Sequence, residues 1–423
     1  MQESFVHFLW RTRRFEGRHL FTCEGLPLSI LHPGEYNAHH AGPDFFNARL
    51  RIGDTEWAGN VEMHVRASDW YQHGHQSDAA YHNVVLHVVW EADQPVLRPD
   101  GTAIPTLCLA PLAAPDLLRH YERLLHQTSW IACADQWEQV PSIIVRNWLD
   151  RMLVERLEQK TQRIEHLLHV SGQHWEAAFY HALAASFGLS VNTAPFEALA
   201  RSIPLSLLAR HRNDLRQIEA LLFGQAGLLD GPFQEQYPAQ LAREYRFLQH
   251  KYGLVPLPPG QWKFLRMRPA NFPTVRIAQF ARLVHQSQHL FSQVLEASEA
   301  REVEHLFSVE ADGYWQLHYR FDQPSVKRKK TLGRDFIHLL MINTIIPMLF
   351  YYGRSREMPQ YERKALRWLE ALPPESNTIL QEWEKMGMTA RQAYESQALL
   401  HLKKQYCDQK RCLECQIGCF LLK

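Results

Sequence analysis

The hydrophobic period of this 423-residue chain changes once, and that change limits what it can fold into. From Leu20 to about Leu109, the β-rich runs "LPLSIL", "FFNARLRI", "AGNVEMHV" and "NVVLHVVWEA" are separated by Gly, Pro, Asn and Asp, a pattern that predicts paired strands. From about Ser142 to Lys404, segments such as "IIVRNWLDRMLVERLEQKTQRIEHLL" repeat apolar residues every three or four positions, which predicts helices. Phe5, Phe8 and Leu9 add a short helix before the first strand. The expected class is α+β: an N-terminal mixed β-sheet domain over 1–125, a mainly α-helical domain over 126–400, and a cysteine-rich segment over 401–423.

Charge selects no partner at the level of the whole chain. Lys and Arg total 46 against 45 Asp and Glu, a net charge of +1, so any nucleic-acid surface must be local. The best local segment is "WKFLRMRPANFPTVR", where Trp262, Phe264 and Phe272 interleave with Lys263, Arg266, Arg268 and Arg276. The start, "MQESFVHFLWRTRRF", lacks the apolar core and small-residue cleavage site of a secretory leader. "FIHLLMINTIIPMLFYY" carries His338, Asn343 and Pro347, which predicts a buried helix kinked near the proline rather than a membrane span. Seven cysteines, four of them crowded at the end, are not a secreted disulfide framework. The expectation is a cytoplasmic protein without a membrane partner.

Two stretches carry chemistry. In "GPDFFNARLRIGDTEWAGNVEMHV", Glu62 and His64 stand two apart on a strand, so they share a face roughly 6.5 to 7 Å apart. A hairpin closed by a loop of about three residues at Gly53 to Thr55 would set Asp44 opposite His64 on that face. Paired carboxylates raise one another's proton affinity unless a cation lies between them, so Asp44 and Glu62 are candidate ligands of Mg²⁺ or Mn²⁺. Such an ion acidifies water and neutralises charge on a phosphate oxygen, the needs of phosphodiester hydrolysis. Asp44, Glu62 and His64 are the candidate catalytic residues, His64 as base, third ligand or phosphate contact. Glu3, His73, His75 and Asp78 are secondary candidates. The second stretch, "CDQKRCLECQIGC", spaces Cys407, Cys412, Cys415 and Cys419 as C-x4-C-x2-C-x3-C, so four thiolates can converge on zinc or a [4Fe-4S] cluster. Cys133, with no base beside it, reads as a buried thiol.

The order "ESFVHFLW", "AGPDFFNARLRI", "GNVEMHVRASDWYQHGHQSDAAYHNVVLHVVWEAD", "RMRPANFPTVRIAQFARLV" and "YCDQKRCLECQIG" resembles, over essentially the whole chain, a bacterial family defined as domain of unknown function number 2851. The N-terminal part also distantly resembles the P-D-(D/E)-x-K nuclease superfamily: Pro43-Asp44 matches its first acid, Glu62 its second, and Glu3 the acid of its first helix. That resemblance implies a restriction-endonuclease-like order of elements and a metal-dependent nuclease acting on DNA or RNA. His64 stands where that superfamily has lysine. The alternative it leaves is a catalytically inactive nucleic-acid or protein interaction scaffold with a structural metal centre.

Overall fold

Helix α1 (Glu3–Thr12) turns Phe5, Val6, Phe8, Leu9 and Trp10 inward and stops at Arg13, whose left-handed backbone (φ 52°) returns its amide to the carbonyls of the last turn. This buried face covers a seven-stranded mixed sheet. Its strands are β1 (Leu20–Phe21), β2 (Pro27–His32), β3 (Glu35–Tyr36), β4 (Phe45–Ile52), β5 (Thr55–Arg66), β6 (Val84–Glu91) and β7 (Thr106–Cys108). The order is β1-β2-β4-β5-β6-β7, with β3 paired to β4. β1 to β5 pair antiparallel, while β5–β6 and β6–β7 are parallel. The crossover from β5 to β6 carries the short helix α2 (Asp69–Gln72) and two 3₁₀ turns. This computed structural model describes residues 1–37, 41–311 and 313–422.

Alternation along β5 separates two environments. Val61 and Met63 join α1, β4 and helix α3 (Pro115–His126) in the larger core. On the opposite face Trp70, Val84, Val89, Val96 and Ile104 form a smaller one. Gly59 lets β5 and β6 approach: a Cβ there would meet Val85 Cγ1 at 2.4 Å and the Asn83 carbonyl at 2.7 Å.

The hairpin register differs from the expected one. The turn is the two residues Gly53-Asp54, so Ile52 faces Thr55, and the ladder runs regularly to Ala48 opposite Gly59. It then shifts, and Phe45 faces Val61. The bulge sits at Asn47, at φ 56°, a conformation Asn tolerates and most residues avoid. The shorter turn alone would set Asp44 opposite Met63, and the shift carries it one residue further, to the level of Glu62 rather than of His64.

The chain divides into two units, Met1–Leu149 with Leu402–Lys423, and Asp150–His401. The expected break after residue 125 therefore lies at 149/150, inside helix α4 (Ser142–Val170), and the cysteine segment belongs to the sheet unit instead of standing apart. Within that unit Arg11 donates to the Leu413 carbonyl at 2.9 Å and Arg14 to that of Cys419 at 3.0 Å, while Leu413 and Leu422 enter the larger core.

The second unit is mainly helical. Its segment Arg334–Ser355 is long and apolar enough to cross a membrane by composition, and 78% of that apolar window is buried. The helix loosens into a π turn at Met341–Ile345 just before Pro347, the residue that has no N–H to give. The aromatic-basic segment is structural in part. Trp262 is buried and donates to the Ala226 carbonyl, and Arg276 is buried over the Phe336 ring, bonded to Gln279 and Asn271.

Candidate metal centre

Asp44 begins where Gly42, at φ 110°, turns the chain into β4. Its carbonyl accepts from the Asn37 amide at 2.8 Å, which holds the start of the strand in place. Its own amide donates to Glu62 Oε2 at 3.1 Å, and its Oδ2 accepts the Met63 amide at 2.9 Å. The two acids are thus fixed by backbone as well as by each other. On α1, Glu3 and His7 are four apart and share a face. His7 Nε2 lies 3.2 Å from Asp44 Oδ2, and Glu3, His7 and Asp44 each offer a ligand atom within 4.8 Å of the others.

A second group stands on the other side of Glu62. His64, His73 and His75 also offer ring nitrogens within 4.8 Å of one another. His64 Nε2 is 3.1 Å from His73 Nδ1, and Glu62 Oε1 is 3.3 Å from His75 Nε2 and 3.9 Å from His64 Nε2. His75 Nε2 is buried and makes no hydrogen bond among the described residues. His64 Nδ1 is 2.8 Å from His87 Nε2. When His64 donates that proton, its Nε2 lone pair faces His73 and His75, the tautomer a metal ligand needs. Buried His87 thereby supports buried His64 from behind, while exposed His73 leaves the centre open to water.

The electrostatics follow from burying carboxyls and imidazoles close together. Burial, and then the charge of Asp44, push the Glu62 carboxyl up to about 9. Burial and the charge of Asp44 also raise Glu3. Burial opposes protonation of His7, yet Asp44 beside it leaves the imidazole above its ordinary value. His64 is driven down to about 2 by burial and by the neighbouring His87, and His87 down to about 3 by burial and His75, so both rings stay neutral. Tyr81, stacked on His75 at 3.8 Å, is pushed up to about 12 by burial and by Glu62. A divalent ion would replace the proton on Glu62 and accept the neutral imidazoles.

A family model described as protein of unknown function (DUF2851) matches residues 3–378. The chain belongs to this family. No curated protein and no solved structure matches it. The matched span takes in every residue of the centre from Glu3 to His87 and ends before Cys407.

Of the residues expected from sequence, Asp44, Glu62, His64, Glu3, His73 and His75 come together. Asp78 does not join either ligand group: its side chain accepts from the Ala80 amide and caps the turn Ala79–Tyr81. His7 and His87 were not expected. His7 could have been found from its i,i+4 spacing to Glu3, and His87 as the one histidine in the apolar run Val84–Trp90, in register with Glu62 on the parallel neighbour.

Proposed function

We propose that the sheet unit is a divalent-metal-dependent phosphodiester hydrolase acting on DNA or RNA. The observation that carries this reading is the position of Glu62, with one carboxylate oxygen toward Asp44 and the other toward His75 and His64. A carboxylate so placed stands between two sets of residues that could each hold an ion, Glu3, His7 and Asp44 on one side and His64, His73 and His75 on the other. The carboxylate-rich group suits Mg²⁺ or Mn²⁺, and the imidazole group suits Mn²⁺ or a later transition metal.

In this reading Glu3, His7 and Asp44 would hold one ion and His64, His73 and His75 another, and bound divalent ions would supply charge neutralisation at a phosphate and a more acidic water. His64, buried and locked by His87, acts as ligand instead of base. His73, exposed at the rim, is the member of the imidazole group that opens it to a substrate. The helix, hairpin and parallel-strand order, with Pro43-Asp44 at the head of β4 and Glu62 on β5, supports the nuclease resemblance.

One observation favours the second reading, an inactive interaction scaffold: the position of the superfamily's lysine holds a neutral histidine 1% exposed, so no side-chain cation there orients water. The two readings separate in a cleavage assay on labelled single-stranded, duplex and branched DNA and RNA with Mn²⁺ or Mg²⁺. Cleavage by wild type that is lost in Glu62→Gln supports the hydrolase; metal-loaded wild type that cleaves none of the panel supports the scaffold.

A further inference from the structure

The C-terminal segment lines a cleft beside the carboxylate–imidazole centre. In that segment Cys412 and Cys415 are buried and Cys407 and Cys419 half-buried. Between them Lys410 and Glu414 are exposed, and with Arg411 they line the cleft. Helix α1 lines it too, through Ser4, His7 and Arg11, which follow at three- and four-residue steps and so share a face. With Tyr36, these residues enclose a volume of about 240 Å³.

His7 belongs to both places. Its Nε2 lies 3.2 Å from Asp44 Oδ2 in the centre, and its Nδ1 lies 3.5 Å from the Tyr36 hydroxyl in the cleft. One turn further along α1, the Arg11 guanidinium lies 5.4 Å over the Tyr36 ring and donates to the Leu413 carbonyl at 2.9 Å. The cleft therefore starts at a candidate metal ligand and ends at a cation, both carried by one rigid helix.

Charge in the cleft does not cancel. Arg411 Nε donates to Glu414 at 3.0 Å, and that pair is neutral as a unit. Arg11 and Lys410 donate to main-chain carbonyls, of Leu413 and of Leu125 and Gln127, and a carbonyl leaves a cation its charge. A guanidinium has five N–H donors, so Arg11 can hold Leu413 and still fork onto an oxyanion. The volume is below the ~300–1,000 Å³ of pockets that enclose a drug-sized molecule, so the cleft takes one group of a larger ligand. We propose that it seats a phosphate of a nucleic-acid strand, adjacent to the phosphate at the centre, with Arg11 as its main contact. This rests on the reading of the sheet unit as acting on DNA or RNA.

The test is equilibrium binding of a labelled single-stranded thymidine oligonucleotide to the full chain, in EDTA and over a range of NaCl concentrations. Wild type, Arg11→Gln and Arg11→Lys are compared, with Arg18→Gln removing the same charge from an exposed position that does not line the cleft. Arg11→Gln should bind about tenfold more weakly at low salt. Its slope of log affinity against log salt should be shallower by about 0.7, the loss of one contact to a single strand. Arg11→Lys should keep the wild-type slope, and Arg18→Gln should match wild type. Phenylglyoxal labelling of wild type reads the same contact without a variant: the oligonucleotide should protect Arg11 and not Arg18. An unchanged slope in Arg11→Gln, equal weakening in Arg18→Gln, an unprotected Arg11, or a wild type that does not bind overturns the proposal. EDTA keeps this outcome apart from that of the cleavage assay. Cleavage that does not depend on Arg11 keeps the hydrolase and removes the phosphate site, and Arg11-dependent binding without cleavage does the reverse.

Discussion

Asp44 and Glu62 are tied by a backbone-to-carboxylate hydrogen bond: the Asp44 amide donates to Glu62 Oε2 at 3.1 Å. The Asp44 carboxylate in turn takes the amide of Met63, the next residue along β5. Two acids that repel one another when ionised are therefore held side by side by the main chain, and burial, with that repulsion added, raises the proton affinity of Glu62.

Because Glu62 is protonated in the metal-free protein at neutral pH, Glu62→Gln replaces an acid by an amide of the same shape. Its metal-free stability should stay within about 1 kcal/mol of wild type. Wild type should gain about 2.7 kcal/mol at a Mn²⁺ concentration one hundred times Kd, and Glu62→Gln should lose most of that gain. Thermal denaturation with and without Mn²⁺ reads both.

Metal binding should release protons. Glu62 has a folded value near 9 against an ordinary 4.5, so its share of metal-free stability is present below 4.5 and lost as pH rises through about 9. An ion that displaces this proton binds more tightly as pH rises over that window. Calorimetric titrations in buffers of different ionisation enthalpy should show about one proton released per chain at neutral pH.

His64 and His87 work in the opposite direction. Their folded values, about 2 and about 3, lie below the ordinary 6.5, so the unfolded chain binds more protons in acid. The stability they contribute is present above 6.5 and falls as pH drops below it. Denaturant midpoints should decrease between pH 6.5 and 4, and a His87→Leu variant should show a shallower decrease.

His87 supports His64 from behind, at 2.8 Å from its Nδ1, without belonging to either ligand group. His87→Leu keeps an apolar fill but releases the tautomer and ring orientation of His64. Affinity for Mn²⁺ should drop about 10- to 100-fold while the far-ultraviolet circular dichroism is unchanged.

Gly59 sets the distance between β5 and β6. Gly59→Ala would place a methyl 2.7 Å from the Asn83 carbonyl, which cannot swing away as a side chain can. A loss of about 1–3 kcal/mol is expected in urea denaturation.

The strands, α1 and the convergence of Asp44 and Glu62 were legible because alternation and i,i+4 spacing are local properties of a sequence. The register was not. A two-residue turn at Gly53-Asp54 and a left-handed residue, Asn47, each move Asp44 by one step along β5, and nothing in "FFNARLRI" announces a bulge. His87 was hidden because a histidine within an apolar strand looks like a filler until the parallel register places it beside Glu62.

The most direct measurement is anomalous scattering from crystals soaked in Mn²⁺. The prediction is a manganese peak about 2 Å from a Glu62 carboxylate oxygen, with Asp44 or His75 completing the coordination. Occupied Mn²⁺ sites elsewhere and none at Glu62 would contradict the metal centre and, with it, the proposed hydrolase.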